Sequence, residues 1–425
     1  MKKLVLKILD RLQKNSYFFR KVKIKVLDFY MYMKYKKISR ANPTDENVVL
    51  FESFLGKMYA DSPKAIYEYM LQDERFRDYT FVWAFRKGKL KKVKGEFADP
   101  RTVLVTYKST KYFEYFASAK YWVTNWRIPN FVTKKKDQVM IETWHGTPLK
   151  KIGLDSTFES NPLASQKRSH KLYLNDSKKY DYLVSPSAFC TKVFTTAFGL
   201  DRLKKEHILI ETGYPRNDYL ISHKPEDADA IKEKLGIPLD KKVILYAPTW
   251  RDNQHTIGVG NTLDVETHFN GFLDSISDDY VVIMRLHYMI ANKVDLSSYA
   301  GKVFDCSKLD DVNWLYVISD ILVTDYSSVF FDYANLGRPI LFYMYDLEEY
   351  QTQIRDFYID LEELPGPIVQ TEEELLNAVY HMDDIRDEYK EKYQAFCDTY
   401  NYLDDGSAAK HVVDCCFGGE KICAE

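Results

Sequence analysis

A chain of 425 residues with 45% hydrophobic and 29% charged residues has a globular composition and is too long for one ordinary core, so two domains are expected. The net charge is only −2, but residues 1–40 carry thirteen Lys/Arg against Asp10 and Asp28, leaving an acidic body behind a strongly basic arm. Six cysteines without C-x-x-C spacing, no apolar run of ~18 residues and no apolar leader with a small-residue cleavage site argue against a zinc site, a disulfide framework, a membrane span and a secretory signal; reduced thiols are the expectation.

In the arm, Leu4, Ile8, Leu9 and Leu12 fall near helical spacing among Lys3, Lys7, Arg11 and Lys14. Farther on, Tyr17-Phe18-Phe19 and Phe29–Met33 are interleaved with Arg20, Lys21, Lys23 and Lys25. This pattern predicts a basic amphipathic segment over 1–40 that lies on an anionic membrane surface. No nucleic-acid module follows it, so no nucleic-acid partner is expected.

Past a linker at 41–46, strand-like runs recur at 47–52, 80–84, 102–106, 121–124 and 139–141, with helical stretches between several of them. Ser62 reads as the cap of a helix with Pro63 at its first position. Further strands are expected at 182–187 and 208–212, and a helix over Pro225–Leu235. After a hinge near Pro238 the pattern restarts, with strands at 242–247, 280–285, 303–304, 321–324 and 339–343 and helices at 309–318, 327–336, 372–381 and 385–400. The alternation predicts an α/β fold with parallel sheets, divided into an N-terminal Rossmann-like domain over 45–237, a C-terminal one over 238–400 and a partly helical tail over 401–425.

Polar groups gather at strand ends, where ligands of open α/β sheets bind. Trp144-His145-Gly146-Thr147-Pro148 follows the strand ending at Glu142; Gly146 permits close backbone approach and Pro148 stiffens the turn. Thr249-Trp250-Arg251 offers a hydroxyl, an aromatic plate and a guanidinium, or only a capped loop with a surface arginine. Arg285 and His287 stand two apart on one side of an extended segment, suited to neutralise phosphate or protonate a leaving group. In Thr324-Asp325-Tyr326-Ser327-Ser328, a serine caps the next helix, whose N-terminus suits a phosphate; Asp332 could bind a ribose or favour the helix dipole. Walker A, G-x-G-x-x-G and H-E-x-x-H patterns do not occur, and no carboxylate cluster marks a metal site.

Trp144–Lys150, Tyr246–Arg251, Arg285-Leu-His287, Thr324–Asp332 and Gly337–Tyr343, in this order, resemble the CDP-glycerol glycerophosphotransferase family of teichoic acid primases and polymerases. The resemblance spans roughly residues 45–400. It implies a GT-B-like fold, two Rossmann-like domains facing a central cleft, attached peripherally to the cytoplasmic face of the cell membrane. It implies transfer of glycerol phosphate from CDP-glycerol to a hydroxyl of a membrane-linked acceptor, a lipid-linked polyol phosphate or saccharide, releasing CMP during synthesis of teichoic acid or a related polymer such as a capsule polysaccharide. CDP-ribitol as donor, or a nucleotide-sugar glycosyltransferase or epimerase of the same fold, are the alternatives. By this resemblance His145 is the general base and His287 a second essential histidine. Trp144, Gly146, Thr147, Pro148, Thr249, Trp250, Arg251, Arg285, Asp325, Ser327, Ser328 and Asp332 are the substrate-binding candidates. No cofactor is expected beyond a divalent cation accompanying the substrate phosphates.

Overall fold

A computed structural model describes residues 17–156, 166–249, 255–256, 260–261, 265–286, 296–348 and 357–418. The chain separates into two compact units. One holds the described residues up to Met58, with Met70–Glu142 and Lys179–Asp181; the other holds Tyr59–Tyr69, Thr143–Lys178 and the described residues from Tyr182 onward. Residues 143–178 and 182–237 group with the described residues from 238 onward, and among their contacts are hydrogen bonds from Tyr214, Arg216 and Asn217 to Asp332 and Asp404.

In the first unit, β1 (Asp45–Glu52), β2 (Thr80–Phe85), β3 (Thr102–Thr106), β4 (Ala119–Thr124) and β5 (Val139–Glu142) run in parallel in the order β3-β2-β1-β4-β5. Val49, Leu50 and Phe51 of the central strand are fully buried, as expected for a sheet covered on both faces. Helix α1 (Tyr17–Ala41) buries Tyr35 edge-on against Phe113 of the helix Thr110–Ser118, their ring centroids 6.2 Å apart. Val26, Phe29, Tyr30 and Met33 are exposed, and their i, i+3, i+4, i+7 spacing makes them one stripe. At ~100° per residue that stripe lies opposite Tyr35. The described part of the arm thus seats Tyr35 on the body and turns the stripe of Val26, Phe29, Tyr30 and Met33 outward. Residues 1–16 lie outside the described residues.

The second unit carries a six-stranded sheet of β8 (Lys242–Ala247), β11 (Tyr280–Met284), β12 (Val303–Asp305), β13 (Ile321–Thr324), β14 (Ile340–Tyr343) and β15 (Ile368–Val369), all parallel, in the order β12-β11-β8-β13-β14-β15. It also contains the parallel pair β6 (Tyr182–Ser185) and β7 (Leu209–Glu211), and a two-residue antiparallel pairing of β9 (His255–Thr256) with β10 (Gly260–Asn261). Side chains alternate across β8: Val243, Leu245 and Ala247 enter one core layer, Ile244 and Tyr246 the other. Both faces are covered, which is why the strand reads as a continuous apolar run. Strand order reverses between β8 and β13, the place where open α/β sheets leave a crevice.

One local expectation changes. The helix expected to begin at a Ser62 cap starts at Asp61 (α2, Asp61–Gln72), where Asp61 has φ of +69° and accepts the Ser62 N–H, while the Ser62 hydroxyl is buried without a hydrogen-bond partner among the described residues. The C-terminal tail, expected to be partly helical, carries a helix over Ala408–Phe417. Asp404 accepts from Tyr214 N–H at 2.8 Å and from the Asn217 and Asn335 amides at 2.7 and 2.9 Å. Helix Ala408–Phe417 seats its first N–H groups on Asp218, at 2.9 Å from Ala408 and 2.8 Å from Ala409. Gly213 (φ +77°) makes room, because a Cβ there would lie 2.5 Å from the Leu403 carbonyl oxygen. Among the described residues Cys190, Cys306, Cys397 and Cys416 are free thiols.

Candidate active site

The sheet edge of the second unit is locked before any ligand arrives. Thr324 pairs with Ala247 across β13 and β8, and its hydroxyl donates to the Ala247 carbonyl at 2.8 Å. Just beyond, Asp325 accepts the Thr249 N–H at 2.7 Å, and Arg285 N–H donates to the Tyr246 carbonyl at 2.9 Å. Three strand-end segments are thereby held side by side at the reversal point.

The loop after β5 is fixed on the same unit. Tyr358 N–H donates to the Leu149 carbonyl at 2.8 Å, and the Tyr358 hydroxyl donates to Asp155 at 2.8 Å. Within this loop Trp144 has φ of +54°, an uncommon conformation for a bulky residue and a recurrent sign of a functional position. Its ring lies 4.0 Å from the His145 ring and edge-on to Phe198 at 4.9 Å, so packing holds the strained residue in place. Gly146 has φ of +151°, and a Cβ on it would stand 3.3 Å from Arg216 Nη2 and 3.5 Å from Ser328 Oγ. The positive φ favours glycine here, and a side chain would press on Arg216 while meeting Ser328 at ordinary contact distance.

These segments enclose a pocket of about 410 Å³, a size suited to a nucleotide-scale ligand. Of the residues expected from sequence, Trp144, His145, Gly146, Thr147, Pro148, Thr249, Arg285, Ser327 and Ser328 line it together. Asp325 and Asp332, expected beside the ligand, stand behind the wall. Both are buried: Asp325 holds the Thr249 backbone, and Asp332 accepts from Arg216 Nη2 at 2.5 Å. His287, Trp250 and Arg251 lie outside the described residues.

Arg285 is the electrostatic centre of the pocket wall. Its Nη1 donates to the carbonyls of Cys306, at 3.0 Å, and Leu309, and it forms no ion pair among the described residues. Burial pulls its basicity below the usual arginine range. A desolvated cation held by carbonyl dipoles and not by a carboxylate keeps its charge available to an incoming anion. Ser328 occupies the N-cap position of helix Val329–Tyr333 but makes no side-chain capping bond. Its hydroxyl, not the field of so short a helix, is what the turn offers a phosphate. An imidazole, two serine hydroxyls, a threonine and a guanidinium around one pocket can accept a proton from a hydroxyl nucleophile and meet charge on phosphate oxygens.

Sequence reasoning missed Tyr326, which lines the pocket with its ring stacked near Phe357 at 6.0 Å and its hydroxyl donating to Asp346 at 3.1 Å. It also missed Arg216, which is buried behind Gly146. The only available signal for Arg216 was a cation following glycine and proline just past a strand.

Comparison with known proteins agrees with this arrangement. The family model described as CDP-glycerol:poly(glycerophosphate) glycerophosphotransferase matches residues 34–418. A Staphylococcus epidermidis teichoic acid poly(glycerol phosphate) polymerase is 37% identical over 405 residues, covering 93% of this chain but only 55% of that protein, so the chain spans about half of that relative. A Staphylococcus aureus teichoic acid glycerol-phosphate transferase is 38% identical over 397 residues, covering 92% of this chain and 98% of that protein. A Bacillus spizizenii teichoic acid poly(ribitol-phosphate) polymerase is more distant, at 27% identity over 392 residues, with 89% and 57% covered. A solved structure of a variant of the wall teichoic acid polymerase TagF, soaked with CDPG, superposes with a TM-score of 0.82 at 36% identity, covering 93% of this chain and 95% of that one. The strand order, the pocket at the sheet reversal and the match over most of its length make this chain a member of the CDP-glycerol:poly(glycerophosphate) glycerophosphotransferase family.

Proposed function

We propose that this protein transfers glycerol phosphate from CDP-glycerol to a hydroxyl of a teichoic acid acceptor and releases CMP. The acceptor hydroxyl gives its proton to His145 as its oxygen attacks the β-phosphorus. The bond from that phosphorus to the bridging oxygen breaks, and CMP departs with the electron pair. Arg285, Thr249 and the Ser327-Ser328 hydroxyls meet the charge on the diphosphate and on the leaving CMP. His287 assists the leaving group from the segment after β11. The observation that carries this reading is the convergence of His145 with Arg285, Ser327 and Ser328 on a single pocket. Glycerol is favoured over ribitol because relatives named for glycerol phosphate reach 37–38% identity, against 27–30% for ribitol-phosphate polymerases.

The test is CMP release by the purified protein with CDP-glycerol and with CDP-ribitol, using phosphorus NMR to identify a phosphodiester product. CDP-glycerol turnover should dominate, and His145→Ala should lower it by about 10²–10⁴-fold with folding intact. Undiminished transfer by that variant would remove His145 as the base.

The finer parts of the proposal are a GT-B arrangement, a lipid-linked acceptor and peripheral attachment to the cytoplasmic face of the membrane. Among the described residues no helix is long and apolar enough to cross a bilayer. The outward stripe of Val26, Phe29, Tyr30 and Met33, on a helix with Lys23, Lys25, Lys34, Lys36 and Lys37, suits an anionic lipid surface. Phe29→Glu should reduce flotation with anionic vesicles while sparing turnover on a soluble acceptor; equal flotation would count against the stripe.

A further inference from the structure

We infer that Arg216 is a positioning residue for the transfer, suspending the His145 loop from the helix that follows the Ser327-Ser328 turn. Arg216 is 9% exposed and does not line the pocket. Its Nη1 donates to the His145 carbonyl oxygen at 2.8 Å and to Asp61 at 3.3 Å, while Nη2 donates to Asp332 at 2.5 Å. Asp332 sits four residues after Ser328 on the short helix, so one guanidinium connects the backbone of the proposed base to the element carrying the phosphate-facing serines. Gly146 lets the loop rest directly against Nη2.

The arginine is itself held from behind. Its carbonyl accepts from the Asn313 side chain at 2.5 Å, and Asp404 fixes the residues on either side through the Tyr214 N–H and the Asn217 amide. Burial works against its charge, and Asp332 and Asp61 more than offset this, keeping the guanidinium protonated. Only a planar fork can reach a carbonyl on one side and carboxylates on the others at once, so a lysine in its place keeps the charge but not the geometry. A small displacement of a catalytic loop can cost about 100-fold in rate. The ion pairs therefore set where His145 stands without touching substrate.

This inference rests on His145 being the base, and a double-mutant cycle in the full chain separates the two. Arg216→Lys should lower kcat by about 100-fold, leave KM for CDP-glycerol within about threefold, and cost little more in a His145→Ala background. Thermal melting and equilibrium CDP-glycerol binding identify variants that misfold. Should Arg216→Lys fail to fold, Asp61→Asn, which removes the longer of the two ion pairs, takes its place in the cycle. If His145→Ala is impaired but the Arg216→Lys loss is the same with and without His145, the positioning role falls and the base survives. If KM rises while kcat holds, Arg216 belongs to donor binding and the inference is overturned. If His145→Ala transfers normally, the base assignment and this inference fall together.

Discussion

The two parallel sheets reverse direction in the same manner, between β1 and β4 in one unit and between β8 and β13 in the other, yet the two reversal points are used differently. At the second, strand ends leave an open pocket faced by hydroxyls and by Arg285, whose side-chain hydrogen bonds among the described residues go to carbonyls. At the first, Glu52, Ser53, Thr124, Asn125 and Glu142 are at most 2% exposed, and the Asn125 amide donates to the Ser53 hydroxyl at 3.4 Å. Thr124 donates to Glu142 at 2.8 Å, and Asn125 accepts the Phe54 N–H at 2.9 Å. A reversal of strand order supplies a geometric opening. Whether it becomes a binding site depends on whether the side chains there are buried or are left facing a pocket.

The comparison can be broken by experiment. Arg285→Met removes the charge that the pocket presents, so kcat/KM should fall by about 10–100-fold, as expected for charge-assisted contacts. Its thermal stability should hold or rise, because a desolvated cation without a carboxylate is removed. A large drop in melting temperature with little kinetic loss would make Arg285 structural, like its counterparts in the first sheet. Ser328→Ala should cost up to about tenfold in kcat/KM at unchanged melting temperature, since its hydroxyl caps no helix. Destabilisation without kinetic loss would reverse that assignment.

The smallest effect tests the closed edge. Burial lifts the Glu52 carboxyl to about 8, opposed in part by the Tyr112 hydroxyl, Lys108 and Arg86. The folded protein then keeps a proton that the unfolded chain releases near the ordinary carboxylate value, so Glu52 lowers stability progressively as pH rises from about 4 toward 8. Glu52→Gln should therefore melt several degrees above the parent at pH 8, with the gap closing at pH 5 and turnover unaffected. A gap that does not change with pH, or lost activity, would mean that this edge is not merely closed.

Much of this was readable in the chain. The run Lys242–Ala247 is a strand with the expected bounds because a doubly covered parallel strand is apolar without interruption. Pro225–Leu235 is a helix over the expected residues because proline opens it and Gly236 (φ +71°) ends it. The pocket motifs were legible because each lies within a few residues of a strand end. What escaped depends on distance along the chain. Arg216 meets Asp332 across 116 positions and Asp61 across 155, and no local spacing encodes such pairs. Nothing local singled out Asp61, and Asp332 stood between a ribose contact and a helix-dipole partner, because only their shared partner, Arg216, reveals their pairing. Glu52 was one residue of a strand-like run, and its burial shows only in the fold.

The segment from Leu403 to Phe417 has one practical implication. It works as a strap: Asp404 grips the turn bearing Arg216, and Asp218 grips the final helix in return. A nonsense change that removes everything after Tyr400 would thus not merely shorten the protein at a dispensable end. It would slacken the turn behind the His145 loop from some two hundred residues away, and on the proposed function such a lesion would show as lost transfer with every pocket side chain still encoded.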